Sequence, residues 1–353
     1  EPASYTIDLV KNVHLKNNID FIFLFDKSYT KPELNDLSDN FIFLNKISLI
    51  SRFKLLKINY IKYEAIIFNG YDTISFLILL FIHFFSKIKK PIGIESDTPL
   101  KIPSNYFKRK IKKWYLNYLF SDSYIYGLAG GNDSQIKLFE YYGMKKSNIF
   151  FLPMVVDVNK FKFKPMRKRS NIFTFLFIGR FVSLKQIEII IMEFLLNFEN
   201  NNNVQLILIG DGPLYPKFLK KYSLHSNIIF KGSLHGEKLK KEYELGHILI
   251  LASNNENWGL VINEAMSASI PVLSNNGIGA NYDLIESKNT GIIFNSFKFG
   301  DLSDKMMKLF SEKDLFILYS KNSFKLMHNY WNFDLYKKKL KYALSKMINE
   351  KYN

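Results

Sequence analysis

Two cations and two carboxylates hold the clearest chemical promise in this chain. Arg180 and Lys185 lie five residues apart, just after the apolar run Phe173 to Ile178, where a strand should hand over to a helix. A guanidinium and an ammonium beside helix N-terminal amides make a place for a diphosphate. A lone Arg or Lys is most often a solvated surface cation, so it is the position after an apolar strand that favours function. Farther along, Glu256 and Glu264 bracket Asn257-Trp258-Gly259-Leu260-Val261-Ile262-Asn263. If Gly259 opens a helix, Glu264 lies within it and Glu256 in the loop before, roughly 12 Å apart at about 1.5 Å of rise per residue. That is too wide for the ~5 to 9.5 Å carboxylate pair that cleaves glycosides. It suits the two ends of one long ligand, such as a sugar and a ribose. The plainer alternative is a helix-surface charge and a loop carboxylate near a positive helix end.

The elements that must position these groups alternate between short β-branched or aromatic runs and segments of helical period, the α/β pattern. In the first half we read strands at Phe21 to Phe25, Ala65 to Phe68, Ile92 to Ile94 and Ser123 to Tyr126. In the second half they fall at Phe173 to Ile178, Gln205 to Ile209, Ile228 to Phe230, Ile248 to Ile250, Pro271 to Leu273 and Gly291 to Ile293. Parallel sheets bind ligands beyond the carboxyl ends of their strands, so the following loops are where chemistry belongs. Gly210-Asp211-Gly212-Pro213 is one such loop, and Ser274 to Ala280 is another, where small residues let backbone amides approach either a ligand oxygen or another turn. The basic, aperiodic stretch Lys160 to Ser170 reads as a linker between the halves.

Composition narrows the classes further. The 353 residues suggest two domains, and 47% apolar with 16% aromatic content excludes a disordered chain. With no Cys there is no disulfide scaffold, thiolate metal site or Cys nucleophile. The net charge of +17 points to an anionic partner, although richness in Lys, Asn and Ile is also what an AT-biased genome produces. The longest apolar run, Thr73 to Phe85, is too short to span a bilayer and reads as a buried helix. No secretory signal is read at the start of the chain.

Taken together, the second-half residues resemble the retaining GT-B glycosyltransferases of family 4. The motifs are Gly179-Arg180 with Lys185, Gly210-Asp211-Gly212-Pro213, Phe230-Lys231-Gly232, the Glu256 to Glu264 spacing with Gly259-Leu260 and Glu264-Ala265-Met266, Pro271-Val272 and Gly291. The resemblance covers most of residues 171 to 295. It extends more weakly to Tyr142-Gly143, Asn148 to Phe150, Pro153, Val156-Asp157, Phe161 and the closing Trp331-Asn332-Phe333. It implies two Rossmann-like domains with parallel sheets facing across a cleft. Residues 1–165 would form an acceptor-binding domain, its first strand missing and Glu1 to Ser4 the remnant of a Gly-rich loop. Residues 166–332 would bind the nucleotide sugar, and 333–353 would be a helix returning to the first domain.

By the same resemblance Arg180 and Lys185 would hold the diphosphate, Glu264 the ribose hydroxyls and Glu256 the transferred sugar. Amides near Gly259 and Leu260 would contact sugar or phosphate, and the base would pack near Phe230 and Gly232. Fixed cations stabilise a departing diphosphate without a metal, and a UDP-sugar is favoured over a GDP-sugar. Glu95-Ser96-Asp97 could ligate Mg²⁺ but reads better as an active-site loop after Ile92 to Ile94, giving Glu95 and Asp97 as catalytic candidates. Three positions depart from the family pattern: Gln186 where a Gly commonly follows the Lys, Trp258 for a Phe, and His247, read as structural, for an Asp.

Between Lys87 and Lys113 stand nine Lys/Arg against Glu95 and Asp97, and Tyr106 to Trp114 mixes cations with aromatics. Such a stretch lies well on an anionic bilayer; as a solvated helix face it would need no partner. Nucleic-acid binding would explain the charge, yet no zinc ligand set, RNP-like motif or basic zipper accompanies it. A nicotinamide enzyme would need a G-x-G-x-x-G after a strand, which is absent. The expected function is therefore sugar transfer from a nucleotide diphosphate donor to a glycan or lipid-linked acceptor, in surface polysaccharide or lipopolysaccharide synthesis. The expected place is the inner face of the cytoplasmic membrane, with no nucleic-acid partner. The alternative is a non-catalytic basic protein of GT-B fold that binds nucleic acid or anionic membrane.

Overall fold

The computed structural model describes residues 4–13, 19–26, 42–162 and 172–352. The chain divides into two compact units, Glu1–Val156 with Phe333–Asn353, and Asp157–Asn332. The first contains, in order, α1 (Ser4–Val13), α2 (Leu49–Lys62), β1 (Ile66–Asn69), α3 (Ile74–Phe85), β2 (Ile92–Ser96), α4 (Tyr106–Ser121), β3 (Ile125–Ala129), α5 (Ser134–Tyr141) and β4 (Ile149–Phe151). Its sheet is parallel with order β1-β2-β3-β4. Right-handed crossovers that always step the same way leave α3, α4 and α5 on one face of it. There Phe76, Leu79, Leu80, Leu116 and Phe120 bury against Ile92, Ile94 and Ile125.

Helices α2, α3 and α4 each start at a side-chain cap. Ser48 accepts from the Ser51 amide, Thr73 from Phe76 and Asn105 from Lys108, which satisfies amides the helices leave open. A buried polar chain ties them together. The Tyr60 hydroxyl accepts from the Lys90 amide at 2.8 Å and meets His83 Nδ1 at 2.9 Å, while His83 Nε2 faces Asp122 at 3.4 Å. Burial raises the Asp122 carboxyl, but bonds from His83, the Tyr124 amide and Lys89 outweigh it and hold the group well below the usual carboxylate range.

Three sequence expectations change here. Among the described residues Phe21 to Phe25 forms no strand: its bridge there is Phe23 with Phe43, and only Phe23 of the five is buried, so a single inward residue stands where a ladder would need several. Ile149–Phe151 does form a strand, too short to show a period. Finally, α3 is not buried all round, because Ile74, Leu77, Phe81 and Phe85 face outward.

The second unit contains β5 (Phe173–Ile178), α6 (Ile187–Phe198), β6 (Val204–Ile209), α7 (Tyr215–Tyr222), β7 (Ile228–Gly232), α8 (Gly236–Leu245), β8 (Ile248–Leu251), α9 (Leu260–Ser267), β9 (Val272–Asn275), β10 (Gly291–Phe294), α10 (Asp301–Ser311) and α11 (Lys313–Asn329). The parallel sheet runs β10-β9-β8-β5-β6-β7, so the chain reverses direction between β5 and β8. Continuous apolar strands such as Phe175, Leu206 and Ile250 bury on both sides, as a sheet covered by helices requires. The closing helix α12 (Phe333–Tyr352) returns to the first unit, where Tyr342 meets the Phe150 ring at 6.0 Å. Of the expected linker, residues 163–170 lie outside the described residues; Phe161 packs in the second unit, its ring 5.0 Å from Tyr243.

Candidate active site

The reversal between β5 and β8 is where a doubly wound sheet opens a crevice beyond its strand ends. The loops leaving these two neighbouring strands carry Arg180 and Lys185 on one side and Glu256 on the other. Lys185 and Glu256 form an ion pair, with the lysine side chain 13% and the carboxylate 24% exposed. Arg180 is exposed on the same β5 loop.

Backbone bonds lace the loops together. The Asn254 amide donates to the Leu184 carbonyl at 3.0 Å, Gly279 to Glu256 at 3.1 Å and Ala280 to Trp258 at 3.2 Å. The Phe181 amide donates to Asp211 at 2.9 Å. Gly210, at φ 131°, lets the β6 loop reach the β5 loop: a Cβ there would lie 1.9 Å from the Gly179 carbonyl oxygen. The Gly-Asp-Gly-Pro loop therefore sets loop spacing.

Ser274 to Ala280 works in a similar way. Amides of Asn276, Gly279 and Ala280 already donate to protein carbonyls, and Asn275 Nδ2 donates to Ser253 at 3.2 Å. Of the two readings open for this turn, the packing one accounts for these groups. Ser253 Oγ, fully buried just past β8, has no hydrogen-bond partner among the described residues.

Gly259 sits at φ 94° and caps α9, whose first residue is the half-buried Leu260. The helix thus starts four residues after Glu256 and carries Glu264 on its second turn. Glu264 Oε2 accepts from the Tyr243 hydroxyl at 2.6 Å. Burial, then the Glu264 carboxylate, raises the Tyr243 phenol well above its ordinary value, so it stays a donor. Tyr243 on α8 belongs to no motif and was not singled out from sequence. Trp331, which belongs to the closing segment of the resemblance, stacks on Trp258 at 5.8 Å while the Trp258 indole donates to Asn263 at 2.8 Å.

Phe230 packs edge-on to Tyr215 at 5.9 Å, and the Gly232 carbonyl accepts from Gly210 at 2.8 Å. Lys231 pairs with Glu242 at 2.5 Å. His247 accepts the Thr174 amide on Nδ1 at 3.2 Å and stacks on Phe173, a structural role. Among the described residues no cluster of three or more His, Cys, Asp or Glu could hold a metal ion.

Residues 158–325 match the family model of the group 1 glycosyl transferases. The Anabaena protein Alr3699/HepE, solved in complex with UDP, superposes with a TM-score of 0.68 over 83% of this chain and 81% of its own, at 15% identity. The fold is GT-B. Sulfoquinovosyl transferase SQD2 of Arabidopsis thaliana is 35% identical over 30% of this chain and 20% of its own length. Alpha-monoglucosyldiacylglycerol synthase of Acholeplasma laidlawii is 28% identical over 36% of this chain and 32% of its own. The chain thus spans well under half of either relative.

The remaining site candidates lie in the first unit of this GT-B chain. Glu95 is the penultimate residue of β2 and pairs in register with Asn69 of β1, two residues before Asp97. Burial, with the Asp97 charge beside it, pushes the Glu95 carboxyl up to about 7, and Asn69 opposes the rise. Tyr336 of α12 is buried within the field of this carboxylate.

Proposed function

We propose that the chain is a retaining, metal-independent glycosyltransferase of family 4 that takes its sugar from a nucleotide diphosphate donor, UDP in preference to GDP. The observation that carries this reading is the convergence of Arg180, Lys185 and Glu256 at the reversal of the second sheet, with Glu264 on the helix that follows. In the free protein Lys185 is neutralised by Glu256; a diphosphate arriving at the β5 loop would share the ammonium and leave the carboxylate to a sugar hydroxyl. As the sugar–oxygen bond breaks, negative charge builds on the diphosphate, and two positioned cations stabilise it.

The acceptor hydroxyl attacks from the face the diphosphate leaves, and the departing oxygen helps to take its proton. Glu264, held by Tyr243, would bind ribose hydroxyls. The α9 amides at Gly259 and Leu260 would contact sugar or phosphate, with the base near Phe230 and Gly232. Glu95 and Asp97 would serve the acceptor side in residues 1–165, and 166–332 would hold the donor. The acceptor is a glycan or a lipid-linked glycan, and the basic surface supports work at an anionic membrane, on the inner face of the cytoplasmic membrane in a surface-polysaccharide or lipopolysaccharide pathway.

A thermal-shift panel of UDP, GDP, ADP and CMP tests the donor site. A bound diphosphate at ~100 times its Kd stabilises the fold by about 2.7 kcal/mol. The shift should vanish in Glu264→Ala and weaken about tenfold in affinity in Tyr243→Phe, which leaves a charged oxygen without its donor. Glu256→Ala should cost on the order of 100-fold or more in transfer rate; full transfer by that variant would remove the role assigned to it.

A further inference from the structure

The outward faces of α2, α3 and α4 carry a pattern that the donor chemistry does not use. On α3, Ile74, Leu77, Phe81 and Phe85 follow helical spacing and are 50 to 76% exposed. On α4, Phe107, Ile111, Trp114 and Tyr118 repeat that spacing at 60 to 74% exposure. The two stripes belong to one surface, because Phe84 of α3 meets Tyr118 of α4 at 5.7 Å and Phe53 of α2 meets Phe81 at 6.2 Å. Single exposed apolar residues are ordinary, but a contiguous set of this size marks an interaction site.

Its charge is of one sign. Helices α2 and α4 carry nine Lys and Arg, and no Asp or Glu occurs anywhere in α2, α3 or α4. At the chain's own frequency of 32 acidic residues in 353, about four would be expected in these helices. Lys110 and Arg109 lie over the Tyr106 ring at 4.7 and 5.7 Å, which joins cation to aromatic at the start of α4. The face does not come from loose packing, since caps and the Tyr60–His83–Asp122 chain fix all three helices.

We propose that these three helices form one docking platform for an anionic lipid bilayer, with the apolar stripes of α3 and α4 entering the interface and the cations flanking them. A second copy of this chain would set positive charge against positive charge. A nucleic acid would satisfy the cations but would meet the uncharged α3 stripe with phosphate. Only an anionic bilayer offers headgroups to the cations and acyl surface to the stripe. The platform supplies the surface by which the proposed transferase reaches a lipid-linked acceptor and rests on that reading for its purpose, while docking itself is measured without activity.

The test is co-sedimentation of the full chain with phosphatidylcholine vesicles containing about 30% phosphatidylglycerol, against phosphatidylcholine alone, at an ionic strength where the Debye length is about 8 Å. Binding to the anionic vesicles is expected. Reversing Lys108, Arg109, Lys110 and Lys113 to Glu should weaken it at least about 100-fold, and Phe81→Ser with Phe85→Ser about tenfold. All these residues are exposed, so both variants should keep the wild-type unfolding temperature. Wild-type affinity in the double Phe variant would overturn the platform, reducing it to charge adsorption. So would failure to bind anionic vesicles, with or without binding of an RNA or DNA duplex. If vesicles fail while UDP still shifts the melting temperature, the transferase reading survives alone; if vesicles bind and no nucleotide does, the platform survives alone.

Discussion

The carboxyl ends of the two parallel sheets occupy equivalent places in their units, yet they are built differently. Beyond β5 and β8 a cation faces a carboxylate, and the loops are bonded backbone to backbone with glycine where a side chain would collide. At the end of β2 an acidic side chain, Glu95, is buried, and Asp97 just past the strand adds to its cost of ionisation. The two parallel sheets therefore end in different chemistry, the second at a reversal of strand order and the first in a sheet whose strands run in sequence order. One end is a rigid frame with a paired cation and carboxylate; the other is a carboxyl poised to gain or lose a proton near neutrality.

The rigidity of the first frame gives the largest expected effect. Gly210→Ala would put a methyl 1.9 Å from a backbone oxygen, with no flexible atom to give way. At the corresponding end of β3, Gly130→Ala meets first the Met154 Cγ at 2.9 Å and then the Asp97 Cα at 3.2 Å. A thioether chain can move, so Gly130→Ala should cost about 1 to 2 kcal/mol, whereas Gly210→Ala should exceed about 3 kcal/mol. Urea unfolding of the two variants measures the contrast directly. Equal losses would mean that the two strand ends are equally tolerant and that the locked-frame account is wrong.

Much of this contrast could be read from sequence, and the reasons are local. Arg180, Lys185 and Glu256 follow strands whose apolar runs are unmistakable, and the sheet's order then brings their loops together. Glu264 was legible because Gly259 opens the helix. Tyr243 was not, because one tyrosine on an amphipathic helix carries no pattern until α8 is packed beside α9. The turn Ser274 to Ala280 looked equally fit for a ligand or for packing, and only the partners of its amides separate the two. Helix α3 misled by composition: with apolar residues all round, its period says nothing about which face its neighbours cover. Phe21 to Phe25 misled through its aromatics, since strand formation needs a ladder partner that no local pattern reports.

The acidic end supplies an effect of intermediate size, and it depends on pH. The Glu95 carboxyl titrates at about 7 in the folded chain, above its ordinary 4.5. Between those values the folded state keeps a proton that the unfolded state has released, so stability falls as pH rises from about 4.5 to about 7. The loss should be on the order of 2 kcal/mol, given about 1.36 kcal/mol for each pH unit and partial access to solvent. Glu95→Gln removes the titration, so the variant should gain on the wild type by that amount between pH 5 and pH 8 in thermal unfolding. A parallel pair of curves would show that Glu95 is already ionised at low pH and that the two strand ends differ less than their residues imply.

The smallest effect lies inside the rigid frame. Gln186, next to Lys185, caps α6 with φ 49° and ψ 39°, the left-handed region where a side chain is strained. Its Oε1 is buried with no hydrogen-bond partner among the described residues. Left-handed backbone costs a residue with a side chain about 1 kcal/mol, and an unsatisfied buried oxygen costs about as much again. Gln186→Gly relieves both, while the freer unfolded chain takes back about 0.5 to 1 kcal/mol. The net should be a stabilisation of about 1 kcal/mol in urea unfolding, with the Lys185–Glu256 pair intact. A variant that is more stable but loses its response to UDP would show that the strain at Gln186 holds the Lys185 loop in its binding shape; a variant that keeps the response would show that the frame carries strain its ligand does not need.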